Sequence, residues 1–348
     1  MKTSRPVVRR QVNSPVQRLH VFAEKLDGGR RARGLDVRST AEIINQALFH
    51  AEVRFDRDYK QFREEGLFAT RLELWLRNVT ERRYHEAMLA LLARLQFVDA
   101  KQIEALYRAA FRRVIRRRIL DRYFKAGDEL AGAIDESVRM KLASCLMFSV
   151  TESFDFPLFL RVNSLPGLRR PQQLGENGVH VGRITPTALA RCTSVFVLED
   201  FVGTGKQAGK ALAKLVGKLP KGKEVVFTPL LILETGLRAL RSMRSLHRVQ
   251  IEPVCVIHDD ACVREDGAGQ QGAAPAMIRS LVHATEDIVL QRYDATDDPP
   301  DNAYGYQGCG ALLVTAHNAP NNTIALVHHR APQWSPLFRR LHHSKDSL

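Results

Sequence analysis

The run VFVLEDFVGTGKQ, residues 195–207, constrains this chain more than any other stretch. Its first four residues are all apolar, the pattern of a strand covered on both faces, and such strands belong to parallel sheets packed between helices. Glu199 and Asp200 follow where that strand is expected to emerge, and Gly203, Thr204 and Gly205 come directly after them. Open α/β sheets bind ligands in the crevice beyond the carboxyl ends of their strands, where carboxylates can accept hydrogen bonds from the vicinal hydroxyls of a sugar. Glycines let backbone N–H groups turn toward an anion, Thr204 adds a hydroxyl, and a helix starting near Lys206 and Gln207 points its positive end at the same place. A ribose 5-phosphate answers all three features. A nucleotide-binding P-loop does not fit, because it needs a glycine five positions before its GK pair and Ser or Thr directly after it. This chain has Asp200 and Gln207 there.

The flanking pattern supports an α/β core. Short apolar runs at 146–150, 195–198, 225–232 and 253–257 are predicted strands, separated by predicted helices that include 207–216 and 235–246. Alternation of this kind implies a parallel sheet with right-handed crossovers. Ahead of it the chain reads as helical. Ser39 and Thr40 can cap a helix carrying Ile43, Ile44, Ala47 and Leu48, and amphipathic segments follow at 72–76, 84–95 and on to residue 120. Residues 164–186 and 259–274 have neither helical nor strand period and are predicted to be long loops, and two further strands are predicted at 311–316 and 323–327. We therefore expect a basic, partly disordered arm over residues 1–36, a helical domain over 37–125, an α/β domain over 126–340 and a short tail over 341–348.

The thirteen-residue run resembles the signature of type I phosphoribosyltransferases, in which a hydrophobic strand, an acidic pair, two apolar residues and a Thr/Gly-rich loop bind phosphoribosyl pyrophosphate. The resemblance implies a phosphoribosyltransferase-like open parallel sheet with flanking helices. It implies that Glu199 and Asp200, the catalytic pair, hold the ribose hydroxyls, while Gly203, Thr204, Gly205, Lys206 and Gln207 cradle the 5-phosphate. The loop reads GTGKQ where the family more often has TTGGT, which removes hydroxyl donors and adds a cation, so Lys206 is expected to pair with phosphate. The resemblance also assigns pyrophosphate to the loop after the first core strand. Thr151, Glu152 and Ser153 occupy that place here, although the same residues also read as the cap of a helix beginning at Ser153. Mg²⁺ bridging pyrophosphate and ribose is the implied cofactor, with no metal centre built from protein alone. Arg169, Arg170 and Arg183 are candidates to close over the leaving group, or are plain surface charge.

Taken with the PNNT segment at 320–323 and the helical amino-terminal region, the strand motif is also similar to the phosphoribosyltransferase-like effectors of bacterial conflict and antiphage systems, including those encoded beside retron reverse transcriptases. That similarity implies a toxin or effector held inactive by a protein or ribonucleoprotein partner. Asn318, Asn321 and Asn322 can read a base edge, each side chain offering a donor and an acceptor, and they equally favour tight turns.

A net charge of +14 points to an anionic partner, with nucleic acid, RNA or DNA, the leading candidate. Arg112, Arg113, Arg116 and Arg117 crowd one stretch of predicted helix, where they either grip phosphates or form a solvated face over apolar neighbours. Five widely spaced cysteines without a CxxC pair suggest neither a disulfide framework nor a zinc cluster. The absence of a secretory h-region and of long apolar runs leads us to expect a cytoplasmic protein without a membrane partner. The reading leans toward an enzyme that binds phosphoribosyl pyrophosphate or a nucleotide with Mg²⁺ and makes or breaks a bond at ribose C1. The alternative is a catalytically inactive nucleotide-sensing regulator that binds nucleic acid or a protein partner.

Overall fold

A computed structural model describes residues 14–31, 39–49, 67–123, 134–165, 172–175, 185–267, 270, 272–293, 302–316 and 318–340. The chain divides into two compact units, one comprising residues 1–99 with 263–348 and the other residues 100–262. These do not coincide with the boundaries expected at 37, 126 and 341. The candidate residues Arg169, Arg170 and Arg183, and the tail over 341–348, lie outside the described residues.

The first unit opens with α1 (Pro15–Arg31), within the stretch expected to be an arm. Leu19, Ala23 and Leu26 fall on one helical face and are buried, which gives this basic segment a packed side. Helix α2 (Thr40–Leu48) starts from a capping box in which Ser39 and Glu42 satisfy each other's backbone N–H groups. Helices α3 (Phe68–Leu76) and α4 (Arg82–Arg94) follow, and then a three-residue strand, β1 (Gln96–Val98).

The second unit is the α/β body. It begins with α5 (Ala100–Ala109), which runs on through a π-helical stretch, Ala110–Arg116, into α6 (Arg117–Tyr123). Next come α7 (Ile134–Ala143), β2 (Leu146–Ser149), α8 (Phe156–Val162), β3 (Gln172–Gln173), α9 (Pro186–Arg191) and β4 (Ser194–Val202). Helix α10 (Lys206–Lys218), β5 (Glu224–Leu233), α11 (Glu234–Ser242), β6 (Val249–Ile251) and β7 (Cys255–Ile257) complete it. The sheet is wholly parallel in the order β3-β2-β4-β5-β6, with β7 also pairing β5. Strands β6 and β7 line successive halves of β5 and are separated at Pro253, which lacks a ladder donor. Val195, Phe196, Val197 and Leu198 are all buried, as a strand covered on both faces requires.

The first unit resumes with α12 (Ala273–Val289), β8 (Leu313–Thr315) and α13 (Ala325–His328). Strand β8 pairs in parallel with β1, and α12 packs along α4. The indoles of Trp75 and Trp334 both donate to the Leu326 carbonyl, at 2.8 and 3.0 Å, and the Arg71 Nε donates to the Leu337 carbonyl at 3.0 Å. These bonds make one core from two distant stretches of sequence. The strand predicted at 323–327 is a correction: only Thr323 makes a bridge, to Ala311, and the chain then turns into the short helix α13. Five apolar or β-branched residues cannot distinguish a strand from a buried helical turn. Likewise β3 is a short strand inside the stretch predicted as loop.

Candidate functional site

Strand β4 runs four residues beyond its predicted end, so Glu199 and Asp200 lie inside it rather than beyond it. Glu199 is buried, 4% exposed, and its partners come from the turn after the neighbouring strand β2. Its Oε2 accepts the N–H groups of Val150 and Thr151 at 3.1 and 3.0 Å, and its Oε1 accepts the Thr151 hydroxyl. The Thr151 Oγ1 lies 2.6 Å from Ser153 Oγ, and Ser153 in turn donates to Asp200 Oδ1 at 2.8 Å, where the Phe201 N–H also donates at 2.7 Å. One hydroxyl therefore donates to each carboxylate, and the two hydroxyl oxygens lie side by side between them. Burial pushes the Glu199 carboxyl well above the ordinary range, and the adjacent Asp200 charge pushes it further the same way.

The turn is held from below by aromatic packing. Tyr107 of α5 meets Phe154 and Phe159 edge to face at 5.2 and 5.8 Å between centroids, and Phe154 meets Phe156 at 4.8 Å. The Tyr107 hydroxyl is driven upward in pKa by burial first, then by the charges of Asp200 and Asp155. The helix expected to start at Ser153 starts instead at Phe156, capped by Asp155, whose Oδ1 accepts the Leu158 N–H at 2.8 Å. Thr151, Glu152 and Ser153 thus form a short turn in front of the helix. The Val150 and Thr151 N–H groups are committed to Glu199, whereas those of Glu152 and Ser153 make no hydrogen bond to a described residue.

On the other side of the acid pair, Gly203, Thr204 and Gly205 join β4 to α10. Gly205 has φ +75°, a left-handed conformation that a side chain strains, and as the N-cap it offers no side chain to the helix that follows, whose Lys206 N–H donates at 3.4 Å to the Thr204 hydroxyl. The N–H groups of Thr204 and Gly205 make no hydrogen bond to a described residue, and Lys206 is exposed beside them. The loop is pinned by α11: a Cβ on Gly236 would stand 2.1 Å from the Gly203 carbonyl oxygen. Gln207, half-buried, lies in the first turn of α10. Both turns lie on the carboxyl edge of adjacent strands, with two carboxylates between two sets of backbone donors. Among the described residues no group of three His, Cys, Asp or Glu could hold a metal ion. Glu199's oxygens are already filled, so a Mg²⁺ at this edge would be held mainly by the oxygens of the ligand that carries it.

The remaining candidates are placed elsewhere. In the first unit, Asn318 accepts the Ala319 N–H at 2.9 Å through its own side chain, Asn322 is buried with its amide donating to Cys309 Sγ at 3.1 Å, and Asn321 is exposed. In the second unit Arg112 and Arg113 are exposed, Arg116 is half-buried, and Arg117 pairs with Asp121 at 3.5 Å. Sequence reasoning missed Tyr107 and Gly236. Neither lies near the motif in sequence, and only the unusual Gly236 inside a predicted helix offered a signal.

A parallel sheet presenting an acidic pair and a glycine turn at its carboxyl edge defines a phosphoribosyltransferase-like protein. Within that class the chain belongs to the PRTase-CE family, which matches residues 72–340. No curated protein and no solved structure matches it. Among the described residues no helix is long and apolar enough to cross a membrane.

Proposed function

We propose that the carboxyl edge of the second unit binds phosphoribosyl pyrophosphate, or a nucleotide of the same ribose-phosphate plan, and that a bond at ribose C1 is made or broken there. The observation that carries this reading is the placement of Asp200 between two turns with open backbone donors. Asp200 orients the ribose hydroxyls. Gly203, Thr204, Gly205, Lys206 and Gln207 receive the 5-phosphate, with the amino end of α10 adding its partial positive charge. Glu152 and Ser153 offer N–H groups to pyrophosphate, which enters with its Mg²⁺ as part of the substrate. Mg²⁺ carried in with the pyrophosphate would supply charge neutralisation there, while the bond from C1 to pyrophosphate breaks and the bond from C1 to the acceptor forms.

The two acids divide the work. Glu199 is a positioning residue that holds the turn at 150–153 against β4, and half-buried Asp200, between the two turns, is the one that meets ligand. The resemblance to antiphage effectors supports placing this activity in bacterial defence under the control of a partner. The buried, ligand-independent role of Glu199 also favours a second reading, in which the pocket senses a nucleotide without turnover.

Calorimetric titration with phosphoribosyl pyrophosphate and Mg²⁺, alongside release of inorganic pyrophosphate, tests both. Saturable binding weakened by about tenfold to a hundredfold in Asp200→Asn is expected, because a hydrogen bond to a charged group contributes about 1.5–3 kcal/mol. Pyrophosphate release supports the enzyme, and binding without release supports the sensor. Equal binding by Asp200→Asn would overturn the ribose assignment.

A further inference from the structure

Helix α10 carries Lys206, Lys210, Lys214 and Lys218, one every four residues and all exposed, while Ala208, Ala211, Leu212 and Leu215 fill the core on its other side. Four-residue steps keep these side chains on one face and advance each by about 6 Å, so the stripe runs about 18 Å along the helix. Residues 203–223 contain no Asp or Glu. Lys206, Lys210 and Lys214 form no ion pair among the described residues. Other helix faces set acids beside their cations, as with Arg82 and Glu86 on α4 and Glu104 and Arg108 on α5.

Like charges four residues apart repel, and Lys206 also stands in the first turn, where the helix's positive end disfavours a cation. The helix is therefore weakened by its own surface unless an anion lies along it. Helix α11 and the turn after it pack beside α10 and add two more exposed cations, Arg241 and Arg244.

We propose that this face binds the phosphate backbone of a nucleic acid. About 18 Å covers roughly five steps of one strand at about 3.4 Å each, and a row of lysines suits a row of phosphates. Helix α10 has no aromatic residue to stack on a base, so contacts here fix the strand without reading its sequence. A membrane surface is disfavoured, because a helix lying on lipid needs a free apolar face and that of α10 is buried in the core. Lys210, Lys214 and Lys218 lie outside the turn assigned to the 5-phosphate, so this surface stands or falls separately from the ribose site.

The test compares two variants that each remove three positive charges. One carries Lys210→Gln, Lys214→Gln and Lys218→Gln, and the other carries Lys25→Gln, Lys101→Gln and Arg292→Gln, three exposed cations assigned to no site. Fluorescence anisotropy over a salt series measures binding of a labelled single strand and of a duplex, each about 20 nucleotides long, and vesicles of anionic lipid serve as a further arm. Glutamine keeps the helix, so an unchanged or slightly raised Tm certifies the fold.

The stripe variant is expected to bind the preferred nucleic acid at least tenfold more weakly at about 0.1 M salt, with a log–log salt slope shallower by about 2 on a single strand. The control variant is expected to change affinity less than threefold. Equal losses in the two variants would reduce the effect to net charge and overturn the assignment. No binding by the wild type, or stripe-dependent binding to vesicles alone, would overturn it too.

Discussion

Glu224 and Glu199 lie on neighbouring strands of one sheet and are satisfied in opposite ways. Glu224 opens β5 at the amino edge and meets the guanidinium groups of Arg118 and Arg122, at 3.7 and 3.0 Å, with Ser194 Oγ at 3.1 Å. Arg118 reaches Glu252 as well. Glu199 lies toward the carboxyl edge, bonded to two amides and a hydroxyl, and the nearest charge acting on it is another carboxylate. Ion pairs hold one edge together as structure. At the carboxyl edge Arg238 does pair with Glu234 and Asp259 beyond the ends of β5 and β7, but among the described residues no cation pairs with Glu199, and the turn beside it is shaped by backbone and hydroxyl contacts, as suits a surface reserved for a ligand.

The comparison can be broken most forcefully at Gly236. Gly236→Ala drives a methyl into the Gly203 carbonyl and should cost about 3 kcal/mol in unfolding free energy while abolishing ligand binding. A variant with wild-type stability and binding would show that the carboxyl edge is not pinned in this way. Glu199→Ala comes next, at about 2 kcal/mol by chemical denaturation, because it strips partners from the half-buried Thr151 N–H and hydroxyl. Glu199→Gln should be milder, since its amide can accept the two N–H groups and donate to Thr151.

That pair of variants also carries a pH signature. Burial raises the proton affinity of Glu199 in the folded protein, so the associated stability is complete below the ordinary carboxylate range and is lost as pH rises through the folded value. Glu199→Gln lacks this dependence. Its stability relative to wild type should improve as pH climbs above about 4.3, and a pH-independent difference between the two would contradict a raised carboxyl.

Smaller effects sharpen the contrast. Glu224→Gln at the amino edge should lose about 1 kcal/mol, an amount that shrinks as salt is added, whereas the Glu199→Ala loss should be insensitive to salt. Ser153→Ala should change stability by only a few tenths of a kcal/mol. If a ribose hydroxyl takes the place of Ser153 on Asp200, this variant binds phosphoribosyl pyrophosphate as tightly as wild type or more so, and a tenfold loss would refute that exchange.

Much of the sheet was legible because its strands are local apolar runs: 195–198 and 225–232 lie within β4 and β5, and the acidic pair and glycine turn fall at the expected edge. The division of labour between the acids was not legible. It depends on Thr151, some 48 residues earlier, and on the extension of β4 through Phe201 and Val202, which a window of apolar residues ending at Leu198 does not register. Charge misled at the amino terminus, where the arginines and the lysine of α1 obscured the spacing of Leu19, Ala23 and Leu26. Arg118 and Arg122 follow directly on the basic run read as a possible phosphate grip, and their partner Glu224 comes about a hundred residues later. Side-chain partners this distant are fixed by topology, which local periodicity does not encode.

The bond from Trp75 to the Leu326 carbonyl spans 251 residues. On a ribosome adding about 5–20 residues per second, the tryptophan is made at least ten seconds or so before its acceptor exists. During that interval the early helices have no finished core to enter, while the intervening α/β unit, contiguous in sequence, can assemble on its own schedule. Synthesis rate and chaperone supply should therefore govern the yield of the first unit far more than that of the second.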